Sequence, residues 1–189
     1  MGNTGGNAAA EEGLIVYSSK TGNTKKLAQG IYRGLLEGGV PARIAAVEEK
    51  PGAAGAPWVL AGFWADRGTA DQKTLEYLRG LEGQRIGLFG TLGADPGSNH
   101  ARELAKKTEA LAAEKNTCLG SFLCQGKIDP ALTERFKSLP PDHPHAMNEE
   151  RRKRHEEAAK HPDEADIAAA VAACRNMIES PAAASETGQ

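Results

Sequence analysis

The sequence contains few cysteines and has no long apolar run. Its three cysteines, Cys118, Cys124 and Cys174, form no Cys-x-x-Cys pair and are odd in number. A disulfide scaffold or a zinc ribbon is therefore unsupported, and Cys124 is expected to be a small buried residue. The sequence also shows no secretory signal and no membrane-spanning segment, so we expect a cytoplasmic protein with no membrane partner.

Two common nucleotide-binding motifs are also missing. The chain has no Gly-x4-Gly-Lys-Ser/Thr loop, which holds nucleoside triphosphates, and no Gly-x-Gly-x-x-Gly dinucleotide fingerprint. No general base, nucleophile or catalytic pair can be identified, so we name no catalytic residue. This disfavours hydrolysis and group transfer.

The length and hydrophobic periodicity predict one α/β domain. With 189 residues, of which 40% are hydrophobic, the chain can bury a full core. We expect a single domain over 13–179, with disordered tails at 1–12 and 180–189 and a polar helical insertion around 126–161. Strands alternating with helices predict a parallel sheet with helices on both faces. The predicted strands are 14–16, 42–47, 58–64, 85–90 and 119–124, and the predicted helices include 69–81, 99–115 and 167–178.

The clearest functional pattern follows the first strand. Hydroxyl side chains at Ser18, Ser19, Thr21 and Thr24 surround Gly22 and precede a helix. A helix N-terminus has unpaired N–H groups, and its dipole favours negative charge. The pattern therefore predicts a phosphate-binding loop. The alternative is an ordinary capped turn, since Ser and Thr are usual N-caps.

The segment Ser19-Lys20-Thr21-Gly22-Asn23-Thr24 resembles the Thr/Ser-x-Thr-Gly-x-Thr phosphate loop of the flavodoxin family. The resemblance implies a flavodoxin-like doubly wound five-stranded sheet of order 2-1-3-4-5. It also implies FMN as the cofactor, with hydroxyls and backbone N–H groups holding its phosphate. Lys20 belongs to the loop but receives no fixed role.

In the flavodoxin family the loops after the third and fourth strands surround the isoalloxazine ring. The resemblance thus implies a flavin site formed by Phe63, Trp64, Ala65, Asp66, Gly68, Thr91, Leu92 and Gly93. Trp64 is expected to stack on the flavin, with packing at a strand end as the alternative. Phe63 either contacts the flavin or faces the core. Asp66 and Asp95 are the carboxylates of the two loops, and each either influences the reduction potential or solvates its loop.

Histidines and basic residues toward the C-terminus raise two rival interpretations, a metal site and a nucleic-acid-binding surface. His143-Pro144-His145 lies in a proline-broken turn, and we expect surface residues there and no metal site. The basic run 151–154 is flanked by glutamates in a solvated helix capped by Asn148, so it does not support nucleic-acid binding. Its other use would be as a docking surface for an acidic redox partner.

Two further segments resemble a subgroup of flavodoxin-like proteins. These are Cys124-Gln125-Gly126-Lys127 and the Glu149-Glu150-Arg151…His161-Pro162-Asp163 region. The subgroup includes the flavodoxin-like partner of bacterial bilirubin reductase. The resemblance implies a redox partner protein, of the bilin-type or another flavin-dependent reductase class. Carrier flavodoxins are strongly acidic, whereas this chain has a net charge of −2, which favours a dedicated partner.

Three hypotheses follow. The first is an FMN-binding electron-transfer flavoprotein that supplies a dedicated partner reductase. The second is an FMN-dependent NAD(P)H oxidoreductase that acts directly on a small molecule. The third is an accessory binding module with weak or no FMN. The hydroxyls of Ser19, Thr21 and Thr24 argue against the third hypothesis.

Overall fold

The structure is a computed structural model that describes residues 11–140, 142–144 and 146–180. Its strands are β1 Gly13–Tyr17, β2 Ala42–Ala46, β3 Val59–Asp66, β4 Thr69–Ala70, β5 Arg85–Leu92 and β6 Thr117–Gln125. Its α-helices are α1 Asn23–Glu37, α2 Gln72–Arg79, α3 Asn99–Ala113, α4 Pro130–Lys137, α5 Glu149–Ala158 and α6 Glu164–Glu179. The expected disordered tails lie almost entirely outside the described residues.

The five long strands form a parallel sheet of order β2-β1-β3-β5-β6, which confirms the predicted topology. β4 is an additional strand that pairs antiparallel with the end of β3. Strands linked by helical crossovers run parallel because each crossover returns the chain to the same edge of the sheet. The carboxyl ends of β1, β3 and β5 therefore meet at one edge.

Helices cover both faces of this sheet. On one face α2 and α3 contribute Leu75, Leu78 and Leu104 to a core that includes Leu14 and Leu88. On the other face α1 and α6 pack apolar stripes against the sheet, with residues Leu27, Ile31, Leu35, Ile167, Cys174 and Ile178. The side chains repeat at helical spacing, so each helix buries one stripe. In the described part of the chain, no helix has the length and apolar character needed to cross a bilayer.

The main corrections to the predicted elements lie at strand ends. β3 extends to Asp66 and turns through Arg67 and Gly68, whose φ angles are 50° and 81°, into the short strand β4. The helix predicted over 69–81 therefore begins later, after Asp71, whose side chain accepts a hydrogen bond from the Thr74 N–H. β5 likewise continues to Leu92, past its predicted end.

The predicted insertion contains α4 and α5, and both helices are shallowly packed. None of the residues of α4 is buried, and Ala158 is the buried residue of α5. The basic side chains of α5 are largely neutralised within the helix, because Arg152 pairs with Glu149 and Glu156, and Arg154 pairs with Glu150. The outer surface of α5 is therefore mixed in charge.

Candidate functional site

A cleft of about 810 Å³ opens at the edge where β1, β3 and β5 end. The phosphate-loop segment, the ends of β3 and β5 and the insertion all contribute to it, as the switch point of a doubly wound sheet requires. Its lining residues are Lys20, Thr21, Asn23, Trp64, Asp66, Arg67, Thr91, Leu92, Gly93, Ala94, Gly126, Lys127, Ile128, Asp129, Leu132, Arg135, Phe136, Arg151, Arg154 and His155. Residues from both predicted flavin loops are thus brought together.

The N-terminus of α1 differs from those of the other α-helices in the described ranges. Helices α2 to α6 each have an Asp, Ser or Asn N-cap whose side chain accepts a backbone N–H. Helix α1 instead begins after Gly22, at φ 92°, which has no side chain to cap it. Among the described residues, the backbone N–H groups of Asn23 and Thr24 have no acceptor. These donors are directed at the position where an anion binds a helix terminus.

Two hydroxyls of the loop are arranged to donate. The Oγ of Ser19 accepts a hydrogen bond from the Lys25 N–H at 3.2 Å, and the Oγ1 of Thr21 accepts from Asn23 Nδ2 at 3.2 Å. An oxygen that already accepts from a nitrogen has its own O–H proton available for another acceptor. Both hydroxyls can therefore donate to an anion at the start of α1.

The other two hydroxyl residues of the loop are turned inward. Thr24 is 1% exposed, and its Oγ1 lies 2.9 Å from Thr91 Oγ1 and 3.4 Å from the Phe63 carbonyl oxygen. Ser18 is 2% exposed, and its backbone N–H donates to the Gly62 carbonyl oxygen at 2.9 Å. These residues fix α1 and the loop to the ends of β3 and β5. Thr24 is left with a backbone N–H for a phosphate.

The two aromatic residues at the end of β3 have different environments. The side chain of Phe63 is fully buried in the core, the alternative left open by the sequence. Trp64 is half-buried and lines the cleft. The Nζ of Lys20 lies 5.5 Å from the centroid of its ring and 3.3 Å from an Asp129 carboxylate oxygen.

The remaining predicted flavin residues lie on strand ends and turns. Ala65 pairs with β4, and Asp66 lines the cleft, whereas Gly68 is in the hairpin turn. Thr91 and Leu92 are each 4% exposed at the end of β5, and Gly93 follows them at the cleft wall. Asp95 is outside the cleft lining. Its carboxylate accepts a hydrogen bond from the Gly97 N–H at 2.9 Å.

The insertion contributes residues that sequence reasoning missed. Helix α4 places Leu132, Arg135 and Phe136 at the cleft, and α5 adds Arg151, Arg154 and His155. Each set has the i, i+3, i+4 spacing of one helix face. That spacing is visible in the sequence, but nothing in the sequence indicates that both faces are turned toward the phosphate loop.

Several titratable groups outside the cleft have structural roles. Burial raises the pKa of Cys124 to about 12 and that of Cys174 to about 12, so both thiols behave as small buried residues. His161, Asp163 and Asp166 place their ligand-type atoms within 4.8 Å of one another. They form the N-terminal cap of α6, in which Asp166 Oδ2 accepts from His161 Nδ1 at 2.6 Å. Of the earlier histidine pair, His145 lies outside the described residues.

The chain is similar in sequence to known proteins over most of its length. The model of the flavodoxin domain family matches residues 14–175. The chain is 35% identical over 173 residues to a flavodoxin-like domain-containing protein, BilS, of Clostridioides difficile, covering 87% of this chain and 95% of the relative. It is 32% identical to BilS of Clostridium symbiosum, covering 82% of this chain and 90% of the relative. Among solved structures, reduced Megasphaera elsdenii flavodoxin matches with a TM-score of 0.48 and 22% identity, covering 78% of this chain and 98% of the flavodoxin.

The chain belongs to the flavodoxin domain family, and it is similar to the BilS proteins over most of its length. It is an FMN-binding flavoprotein of the electron-transfer kind. The residues at the cleft fit that cofactor, because unpaired N–H groups and hydroxyl donors face the place of a phosphate and Trp64 offers a flat apolar surface for a flavin ring.

Proposed function

We propose that this protein holds FMN in the cleft at the carboxyl ends of β1, β3 and β5 and carries electrons to a dedicated redox partner. The observation that carries the proposal is the open N-terminus of α1, where the N–H groups of Asn23 and Thr24 lack acceptors among the described residues. The hydroxyls of Ser19 and Thr21 supply two more donors beside them. FMN provides the redox chemistry, and the chain provides binding and orientation.

The phosphate loop of the proposal comprises Ser18, Ser19, Lys20, Thr21, Gly22, Asn23 and Thr24, and its members act differently: Lys20 contacts Trp64 and Asp129 and is given no phosphate contact. Ser19 and Thr21 donate from their side chains, whereas Asn23 and Thr24 donate from the backbone. Ser18 and the Thr24 hydroxyl support the loop from inside. The flavin-ring set is Trp64 and Asp66 with the backbone of Phe63, Ala65, Gly68, Thr91, Leu92 and Gly93.

The charge of the cleft supports a partner with an acidic surface. Lys127, Arg135 and Arg151 line the cleft from the insertion side, where cations would attract carboxylates of a docking protein, whereas Arg154 pairs with Glu150. A bilin-type reductase or another flavin-dependent reductase is the partner class we propose. Electron transfer between docked flavoproteins needs no side chain that handles a proton or forms a covalent bond, which agrees with a site built from binding groups.

The same arginines also favour a second candidate, an FMN-dependent oxidoreductase that is reduced directly by NAD(P)H. The cleft extends from the phosphate loop to Arg135, Arg151 and Arg154, and arginine is well suited to binding phosphates. In this second candidate, NAD(P)H binds in the cleft and reduces the flavin without a partner protein. The two candidates therefore differ in whether NADPH alone reduces the bound flavin.

The test is an anaerobic absorption experiment on the FMN-loaded protein. We expect NADPH alone to leave the flavin band unchanged, and an added NADPH-dependent flavodoxin reductase to bleach it within minutes. Rapid bleaching by NADPH alone, which is lost when Arg135 and Arg154 are both replaced by Gln, would contradict the carrier proposal and establish the second candidate.

A further inference from the structure

The insertion meets the phosphate loop through direct contacts. Asn23 Nδ2 donates to the Lys127 carbonyl oxygen at 2.8 Å, and Lys20 pairs with Asp129. Asp129 is also the N-cap of α4, because its carboxylate accepts from the Ala131 N–H at 2.9 Å. The residue that begins α4 is therefore bound to the loop that would hold the phosphate.

The junction packs closely at Gly126, where any side chain would have to displace Asn23. A Cβ atom at Gly126 would lie 2.9 Å from Asn23 Nδ2, which is too close for a side chain. The following residue, Lys127, donates its N–H to the His161 carbonyl oxygen at 3.0 Å. The segment between β6 and α4 is thus packed onto the phosphate loop and held from its other side by the cap of α6.

Helix α4 turns an apolar face to the cleft that protein atoms leave uncovered. Leu132 is 39% exposed, and the other large hydrophobic side chain found exposed in the described residues is Leu36 on α1. Phe136 lines the same cleft one turn later. Leu132 differs from Leu36 in lying at a cleft, where its apolar surface is open to a ligand.

Helix α5 contacts the ring of Phe136. The rings of Phe136 and His155 have centroids 6.2 Å apart at an interplanar angle of 58°, and His155 Nδ1 is 2.9 Å from Thr133 Oγ1 on α4. The Met147 N–H also donates to the Phe136 carbonyl oxygen at 3.0 Å. The two helices therefore form a unit with one aromatic side chain fixed at the cleft.

Among the described residues, the β5 side of the cleft supplies no aromatic ring. Its lining residues there are Thr91, Leu92, Gly93 and Ala94, and the side chains of Thr91 and Leu92 are buried. Trp64 is the aromatic residue that the sheet contributes to the lining. An isoalloxazine ring is a wide planar surface, and aromatic side chains are the usual contacts for such a surface. Phe136 is the other benzene-type ring in the cleft lining as far as the structure describes the chain.

We propose that the insertion is a wall of the flavin site, in which Phe136 and Leu132 of α4 contact the isoalloxazine ring and Asn23, through Lys127, joins this wall to the phosphate loop. The inference rests on the proposed FMN site and adds to it. It assigns to the insertion a role in holding the cofactor, and it makes α4 an element that FMN orders and stabilises.

The test compares FMN with riboflavin, which has the same ring and no phosphate, by quenching of flavin fluorescence. Phe136→Ala should weaken the binding of both ligands by about the same factor, near tenfold, because the lost contact is with the isoalloxazine ring that both contain. Thr21→Val should weaken FMN and leave riboflavin nearly unchanged. Leu36→Ala is the matched control, since it removes the other exposed leucine at the far end of α1, about 20 Å from its start at 1.5 Å per residue.

Two results separate failure of this inference from failure of the proposed function. If the wild-type protein binds neither ligand, the FMN site itself is wrong. If it binds FMN and Phe136→Ala binds FMN as tightly as Leu36→Ala, the wall assignment is overturned. Hydrogen exchange of the wild-type protein gives an independent measurement that needs no variant. FMN should slow amide exchange in 130–137, and unchanged exchange there would also contradict the inference.

Discussion

The ammonium group of Lys20 lies 5.5 Å from the centroid of the Trp64 ring and pairs with Asp129 at 3.3 Å. Lys20 thus lies over one face of the indole ring. The side chain of Lys20 is 57% exposed, so solvent screens its ion pair and the pair contributes little to stability. A cation–π contact at an exposed site contributes about 0.5–1 kcal/mol. Both contacts are weak enough for a flavin ring to displace the lysine.

Replacing Lys20 by Met tests this relationship. Met keeps a long apolar arm and removes the charge, so the flavin no longer competes with an ammonium group for Trp64. We expect the dissociation constant of FMN to stay the same or fall by up to about fivefold, which corresponds to less than about 1 kcal/mol. Titration of flavin fluorescence measures it, with Lys107→Met on the exposed side of α3 as the control. A tenfold or greater loss of affinity would instead assign Lys20 to the phosphate.

Substitution of Thr21 should affect mainly FMN binding, and substitution of Thr24 should affect mainly the stability of the fold. Thr21 is exposed with a hydroxyl free to donate, so Thr21→Val should weaken FMN binding by about ten- to a hundredfold, the loss expected for a hydrogen bond to a charged group of about 1.5–3 kcal/mol. Thr24→Val leaves the buried Thr91 hydroxyl without its partner and should lower the free energy of unfolding by about 1–3 kcal/mol.

Urea unfolding of the two variants without flavin measures the stability difference, and FMN titration measures the binding difference. The matched substitution makes each variant the control for the other. Equal losses of stability in both variants would contradict the inward orientation of Thr24. Unchanged FMN affinity in Thr21→Val would remove its hydroxyl from the phosphate site.

The cap of α6 predicts a dependence of stability on pH. The hydrogen bond from His161 to Asp166 raises the pKa of the histidine above its ordinary value of 6.5, with smaller contributions from Glu157 and Asp163. The folded protein therefore binds this proton more tightly than the unfolded chain does. The stabilisation is fully present below pH 6.5 and is lost as the pH rises through the raised pKa.

Thermal melts of the flavin-free protein from pH 6 to pH 9 test this dependence. Over that range the melting temperature of the wild type should fall by more than that of His161→Gln, because the variant has no histidine proton to release at this position. Parallel curves for the two proteins would show that the cap does not titrate in this way. The His161 carbonyl oxygen accepts a hydrogen bond from the Lys127 N–H. The hydrogen-exchange rate of the Lys127 amide should therefore change when the cap of α6 is weakened.

Much of the fold could be predicted because it depends on local patterns. The apolar strands and amphipathic helices alternate along the chain, and this alternation predicts a parallel sheet. The order of the strands within the sheet came from the resemblance. The β4 hairpin was missed since Thr69–Ala70 is two residues long and shows no alternation of its own. Asp71, which caps α2 there, was not distinguishable from an ordinary helical residue.

The site was predicted less completely, because side-chain direction depends on distant partners. The hydroxyl of Thr24 points inward to meet Thr91, which is 67 residues away in sequence. The insertion reaches the cleft through Asn23 and Lys127, which are 104 residues apart. No local pattern encodes such pairs. The loop sequence indicates a phosphate site, whereas the wall opposite it becomes visible only in three dimensions.

The most direct test of the FMN site is an absorption spectrum of the purified protein, mixed with FMN at micromolar concentration and passed through gel filtration. We predict that a flavin spectrum elutes with the protein at one FMN per chain, and that Thr21→Val elutes with much less. Protein that emerges colourless, while a control of free FMN elutes separately, would contradict the account and favour the accessory-module hypothesis.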